Sequence, residues 1–237
     1  MKNLIAFILI LTSISVYGQW QKHISGNGSF TTKSYDLSGF ESVGTSISGK
    51  ITISKSNQFK VSLYCESNLM DYIEIFVKEN SLKIQCKKGY SIDSKEIDLK
   101  IEMPDLEKLS SAGSADIVVN EGFENKDFKL SSAGSGDIEI KSIKSANFSC
   151  SSAGSGNITL KKGEINNLSI SSAGSGDIDA TNSSSENVKI SSAGSGNIKC
   201  SANETMKISS AGSGNISYKG NAKVSTSNAG SGKISKM

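Results

Sequence analysis

Ser131-Ser132-Ala133-Gly134-Ser135-Gly136-Asp137-Ile138 is the phrase on which the fold turns, because the chain repeats it almost letter for letter at 151–158, 171–178 and 191–198. Shorter-spaced copies follow at 209–216 and, degraded, at 227–234, and a first copy at 110–117 carries Ala115 where the second Gly stands elsewhere. The seven copies step by 21, 20, 20, 20, 18 and 18 residues. A fixed period near twenty marks a stacked-repeat architecture.

Ser/Gly-rich stretches often serve as flexible linkers, but the residues around this phrase keep strict register. Immediately before it stand Leu130, Cys150, Ile170, Ile190 and Ile208, and two residues earlier Phe128, Phe148, Leu168, Val188 and Met206. Every copy ends in Ile, and two residues beyond come Val119, Ile140, Leu160, Ala180 and Cys200. Apolar residues at period two on both sides of a small-residue centre indicate strands. A strand-sized repeat cannot bury its apolar face alone and must stack on its neighbours. The expected fold is all-β, a right-handed parallel β-helix of about 20-residue coils. If alternation runs through the phrase, Ser132, Gly134 and Gly136 point inward, and Ser131, Ala133 and Ser135 point out. The glycines would then serve a tight corner or a close approach of coils. Ala115 argues that the second one does not need a positive φ. The inward hydroxyls are expected to hydrogen-bond along the stack.

Residues 1–18 read as a secretory signal peptide: Lys2, an apolar run at 4–11, and small residues at Val16 and Gly18. The run is too short to span a bilayer, and no later segment reaches spanning length. Export follows, to the periplasm, the outer surface or the medium. Without Lys2 the formal charge falls from +3 to +2, and all the basic residues are Lys, with no Arg. Arg is the usual bidentate clamp for phosphate and base edges, so nucleic-acid binding is disfavoured.

Residues 19–36 are polar and read as a tail or a loosely attached first strand. Residues 37–109 lack the phrase but read as β throughout, with alternation at 47–53, 59–65 and 96–103. A hairpin is expected about Lys78-Glu79-Asn80-Ser81, and a single helical turn at 67–72. This region would cap or continue the solenoid formed by 110–237, covering its first apolar end. Lys233 and Lys236 on the last strand discourage edge-to-edge pairing.

In order, FESVGTSISGKITI (40–53), NLMDYI (68–73), NSLKI (80–84) and MPDLEKL (103–109) lead into the serial Ser-x-x-Gly-Ser-Gly-Asp/Asn-Ile copies. This order resembles the bacterial head-GIN domain family of putative auto-transporter adhesins. The resemblance covers essentially the whole mature chain and implies a secreted, all-β, repeat-built domain. It supplies no catalytic or ligand residues. Family copies often read Ser-Gly-Ser-Gly-Asp where this chain has Ala-Gly-Ser-Gly.

The position after the second Gly runs Asp116, Asp137, Asn157, Asp177, Asn197, Asn215 and Lys233. Calcium sites need several hard oxygens and concentrated charge. Asn interleaved with Asp instead suits a hydrogen-bonded ladder with diluted charge. Catalysis is not expected: His23 is the only His, outside the repeats, and serines without a base are not nucleophiles. Acids such as Glu139 and Asp179 lie among Lys141, Lys161 and Lys199. No cofactor or metal motif is present. Cys65 and Cys86 end strands on the apolar phase, and a bridge between them is one option. Cys150 and Cys200, two coils apart, read as buried small hydrophobes.

The remaining candidate is the outward face: Ser131, Ser135, Ser151, Ser155, Ser171, Ser175, Ser191 and Ser195, a regular hydroxyl-and-methyl surface suited to glycan, protein or ice. The same face also suits a merely solvated surface. An adhesin-like, non-enzymatic binding module on a cell envelope is the leading reading. A polysaccharide-acting enzyme, betrayed by a cleft of paired acids, and a purely structural envelope component stand beside it.

Overall fold

In the computed structural model, residues 21–120 and 122–237 are described; the signal-peptide reading lies outside them. The chain is a β-solenoid of about 6 turns. Each repeat coil lays one strand in a ten-stranded sheet and one in an eleven-stranded sheet, and the phrase joins the two. Strands Phe123–Ser132, Ile143–Ser152, Gly163–Ser172 and Ser183–Ser192 form the first wall, continued by Thr205–Ser210 and Lys223–Asn228. Short strands such as Ile158–Leu160 and Ile178–Ala180 form the second.

Pairing is parallel and in register, so chemically equivalent residues stack. Phe128, Phe148, Leu168, Val188 and Met206 make one column, and Ile117, Ile138, Ile158, Ile178, Ile198, Ile216 and Ile234 another. All but Ile234 in the isoleucine column are buried. At about 1.5–3 kcal/mol per buried side chain, such columns are what a single coil lacks and a stack supplies.

The phrase's glycines are required by close approach, not by positive φ. A Cβ on Gly134, Gly154, Gly174 or Gly194 would fall inside the carbonyl oxygen of the glycine one coil before. That carbonyl accepts the N–H of the following coil's Ser: Ser155 N to Gly134 O is 3.0 Å and Ser175 N to Gly154 O is 3.0 Å. Ala115 fits because its ladder partner is Gly49, at φ 113°, rather than another copy of the phrase.

Ser111, Ser132, Ser152, Ser172, Ser192 and Ser210 point inward and are buried. No other protein group accepts or donates a hydrogen bond to their hydroxyls, contrary to the expectation of bonds along the stack. Parallel strands lie about 4.8 Å apart, and a hydroxyl pair needs about 2.8 Å. Only the residues flanking this column have partners: Thr45 Oγ1 accepts Ile47 N at 3.4 Å, and Asn228 bonds Gly230 N and Gly232 O.

Strands Ser42–Thr45 and Gly49–Lys55 sit in the same ladders as the repeats, against Lys108–Ser111 and Ala115–Val119. Ser81–Cys86 and Asp98–Met103 still pair parallel with them, and beyond those two strands the sheets turn antiparallel. Lys60–Glu66 pairs with Phe30–Tyr35 and Asp98–Met103, and Ile73–Lys78 pairs with Ser81–Cys86. Glu79 and Asn80 have φ 50° and 60°, the signature of a type I′ hairpin. The 67–72 stretch is a 3-10 helix. The polar segment before residue 37 carries two strands. Lys22–Ser25 pairs with Tyr90–Asp93, and Phe30 stacks on Tyr64 at 5.3 Å, so its few apolar residues anchor it.

All four cysteines are unpaired. Cys65 and Cys86 belong to different sheets, as do Cys150 and Cys200.

Candidate functional site

On the outward side of the ten-stranded sheet, parallel register builds straight rows. Ser110, Ser131, Ser151, Ser171, Ser191 and Ser209 form one, continued toward the N-terminal cap by Gly44 and Lys83. Past the inward Ser column, Ala112, Ala133, Ala153 and Ala173 form a parallel row of exposed methyls. The two rows line a groove of about 530 Å³ that ends at Lys83 and Gln85. Lys83 reaches over Gly44: its Nζ would lie 3.4 Å from a Cβ there.

Ser131, Ser151 and Ser171 line this groove, and Ser191 continues their row. Ser135, Ser155, Ser175 and Ser195 are exposed but lie beyond the glycines, outside it. The eight serines therefore form two separate rows, only one of them in a concavity.

Along the other side of the phrase, the Asp/Asn column is joined chiefly by backbone donors. Asn157 N gives to Asp137 Oδ1 at 2.7 Å, Asp177 N to Asn157 Oδ1 at 3.0 Å, and Asn197 N to Asp177 Oδ1 at 2.7 Å. Asp137 N gives to Asp116 Oδ1, and Asn215 and Lys233 continue upward. Where the donating residue is Asn its Nδ2 adds a second bond, as Asn197 does to Asp177 Oδ1 at 3.1 Å. Among the described residues no group of three or more potential ligands could hold a metal ion.

A second ladder was not singled out in the sequence. Asn147 Nδ2 donates to Asp127 Oδ1 at 2.8 Å, Asn167 Nδ2 to Asn147 Oδ1 at 2.9 Å, Asn187 Nδ2 to Asn167 Oδ1 at 3.3 Å and Thr205 Oγ1 to Asn187 Oδ1 at 2.6 Å. Its signal was present: Asp127, Asn147, Asn167 and Asn187 are spaced by 20.

A groove of about 660 Å³ on another side of the solenoid carries Glu124, Glu164 and Glu186, with Lys144. Lys144 pairs in register with both Glu124 and Glu164. The row thus alternates in sign, with its two carboxylates two strand spacings apart, about 10 Å along the sheet. A retaining glycosidase would hold its carboxyls about 5 Å apart and an inverting one about 6.5–9.5 Å apart, with room for a water between them, whereas here Lys144 stands between the two. His23 Nδ1 lies 3.2 Å from Ser91 Oγ at an exposed edge of the cap. No carboxylate bonds its other nitrogen among the described hydrogen bonds, so the third member of a triad is missing.

The family model described as putative auto-transporter adhesin, head GIN domain, matches residues 39–222. The chain belongs to this family. Its fold recurs in a putative adhesin of Bacteroides fragilis, 27% identical, with a TM-score of 0.86 over 90% of this chain and 100% of the other. A putative lipid binding protein of Parabacteroides distasonis is 26% identical, with a TM-score of 0.74 over 91% and 100%. A putative adhesin of Parabacteroides merdae, 22% identical, shares the fold with a TM-score of 0.72 over 91% and 99%. No curated protein matches the chain. Among the described residues no helix is long and apolar enough to cross a membrane.

Proposed function

We propose that this head-GIN domain is an exported, non-enzymatic adhesin-like module that binds a glycan or a cell-surface protein along the Ser/Ala groove. The observation that carries the reading is the pairing of Ser131, Ser151 and Ser171 with Ala133, Ala153 and Ala173 in one concave strip. Hydroxyls at strand spacing supply repeated hydrogen bonds, and the methyls between them supply apolar contact to a polymer laid along the axis. The small side chains lose little entropy on binding. Family membership and the adhesin-like fold relatives support the same reading.

The test is a binding screen of the secreted protein against immobilised glycans, matrix proteins and lipid vesicles, repeated with Ser151→Tyr and Ala153→Tyr, which fill the groove. Both positions are exposed, so the fold should tolerate them. A saturable hit lost in both variants supports the module. No hit, a hit indifferent to both, or a hit confined to lipid vesicles overturns it.

A further inference from the structure

The Ser row has a charged neighbour row. Two residues before the serines, on the same outward face, the ladder reads Ser42, Lys108, Lys129, Ser149, Ser169, Lys189, Lys207, Ser225. Lys108 lies directly beside Lys129, and Lys189 beside Lys207. Like charges directly opposite on adjacent strands are destabilising, and sequences ordinarily avoid them. The next row out is the amide ladder from Asp127 to Thr205, which ends at Lys223.

Across these three rows of the repeat coils, five lysines (Lys108, Lys129, Lys189, Lys207 and Lys223) face one acid, Asp127, in a chain whose formal net charge is only +3. Other acids lie off these three rows: Glu124, Glu164 and Glu186 in the groove they share with Lys144, and Asp137, Asp177 and Asp179 on the other wall. Glu186 and Glu204 precede the amide row by one residue and Glu107 precedes Lys108, but none of the three forms an ion pair with these lysines. The ion pairs among the described residues are Lys60–Glu102, Lys100–Asp98 and Lys161–Glu139, all away from this face. Lys189, Lys207 and Lys223 also converge on a shallow cleft of about 450 Å³, with Asn187, Thr205 and Ser225 between them. Lys83, at the end of the Ser/Ala groove, extends the same sign to the cap.

We infer that the Ser face takes an acidic polysaccharide, one whose sugars carry carboxylates or sulfates, with the two in-register lysine pairs gripping its charges and the serines between them bonding its hydroxyls. This rests on the binding-module reading above and narrows its ligand class. Lys heads are point charges that accept either anion. An anionic bilayer fits less well. The rows run beside concave strips, and Met237 is the only large hydrophobic strongly exposed among the described residues, so the face has no apolar anchor for a membrane.

The experiment measures binding of the secreted protein to polygalacturonate and to the same polymer fully methyl-esterified, in low and high salt. Phosphatidylglycerol vesicles form a third arm. Lys189→Gln/Lys207→Gln is compared with the control Lys162→Gln/Lys199→Gln, which removes equal charge away from the Ser face. The expected result is preference for the free acid, weakened about tenfold or more by the first pair and by salt, and unchanged by the control. Equal binding of acid and ester, indifferent to Lys189→Gln/Lys207→Gln but lost in Ser151→Tyr, overturns the charge inference while leaving the groove reading intact. Loss in the control to the same degree, binding to vesicles without the polymer, or no binding of the acid overturns the inference as well.

Discussion

Gly174 stacks on Gly154 so closely that a Cβ on Gly174 would enter the Gly154 carbonyl oxygen, the same oxygen that accepts the N–H of Ser175 at 3.0 Å. Backbone cannot yield there as a flexible side chain would. Gly174→Ala should therefore cost about 3 kcal/mol or more, at the upper end for overpacking. Ala115→Gly, where the ladder partner is Gly49, should cost about 1 kcal/mol by added chain entropy and lost burial. Denaturant midpoints of the two variants measure the difference; a tolerated Gly174→Ala would refute close packing of the phrase.

The Asp177 carboxylate accepts both the backbone N–H and the Nδ2 of Asn197, at 2.7 and 3.1 Å. Asp177→Ala removes the acceptor, but the row is exposed and water can partly replace it, so the loss should be about 1 kcal/mol. Asp177→Asn keeps an oxygen for the backbone donor and should change stability by a few tenths. A loss in Asp177→Asn equal to that in Asp177→Ala, read in urea melts, would mean that charge rather than the ladder is what matters there.

How much of this was written in the sequence differs element by element. The Ile138–Ile158–Ile178 column was legible because a twenty-residue period and a two-residue alternation both pointed at it. The Asp/Asn column was legible as a column, but its main donor, the backbone N–H of the next coil, has no letter. The groove between Ser151 and Ala153 depends on how the two outward rows are set about the inward Ser152, and alternation carries no angle. The strand from Lys22 to Ser25 pairs with a segment some 68 positions away, outside any repeat. For Cys65 and Cys86 the pattern gave an apolar phase but not that the two strands belong to opposite sheets. The lysine pairs were in plain view at the repeat spacing, yet only register shows that they adjoin.

Thiol chemistry should discriminate sharply among the four cysteines. Burial pushes Cys150 and Cys200 up to about 12 and Cys65 up to about 11, so none carries appreciable thiolate at neutral pH. Cys86 is also raised by burial, but it alone of the four is partly exposed, at the end of Ser81–Cys86. Iodoacetamide at pH 8 should label Cys86 first and the others only on unfolding, as peptide mass spectrometry would read. A Cys65–Cys86 disulfide in the native protein, visible as a linked peptide before reduction, would contradict the arrangement.

Glu66 is fully buried where the Asn27 turn meets the start of the 67–72 helix. The Ser94 hydroxyl donates to it, as does Lys95 N at 3.3 Å. The Ser94 bond leads in holding the carboxyl below its ordinary value, against the opposing effect of burial. An unfolded Glu titrates near about 4.3. With the folded pKa below that, the stabilisation is fully present above about pH 4.3 and is lost as pH falls through the folded value. Wild type should thus lose this stabilisation on acidification below about pH 4.3, and Glu66→Gln should start lower at pH 7 and lose less over the same span. Melting curves from pH 7 to 3 decide it. If the two proteins ran parallel throughout, the carboxylate would not be what pins the N-terminal strands to the cap. Early proteolysis after Lys22 in the Gln variant would show the opposite, because Gly26 packs directly on that carboxylate.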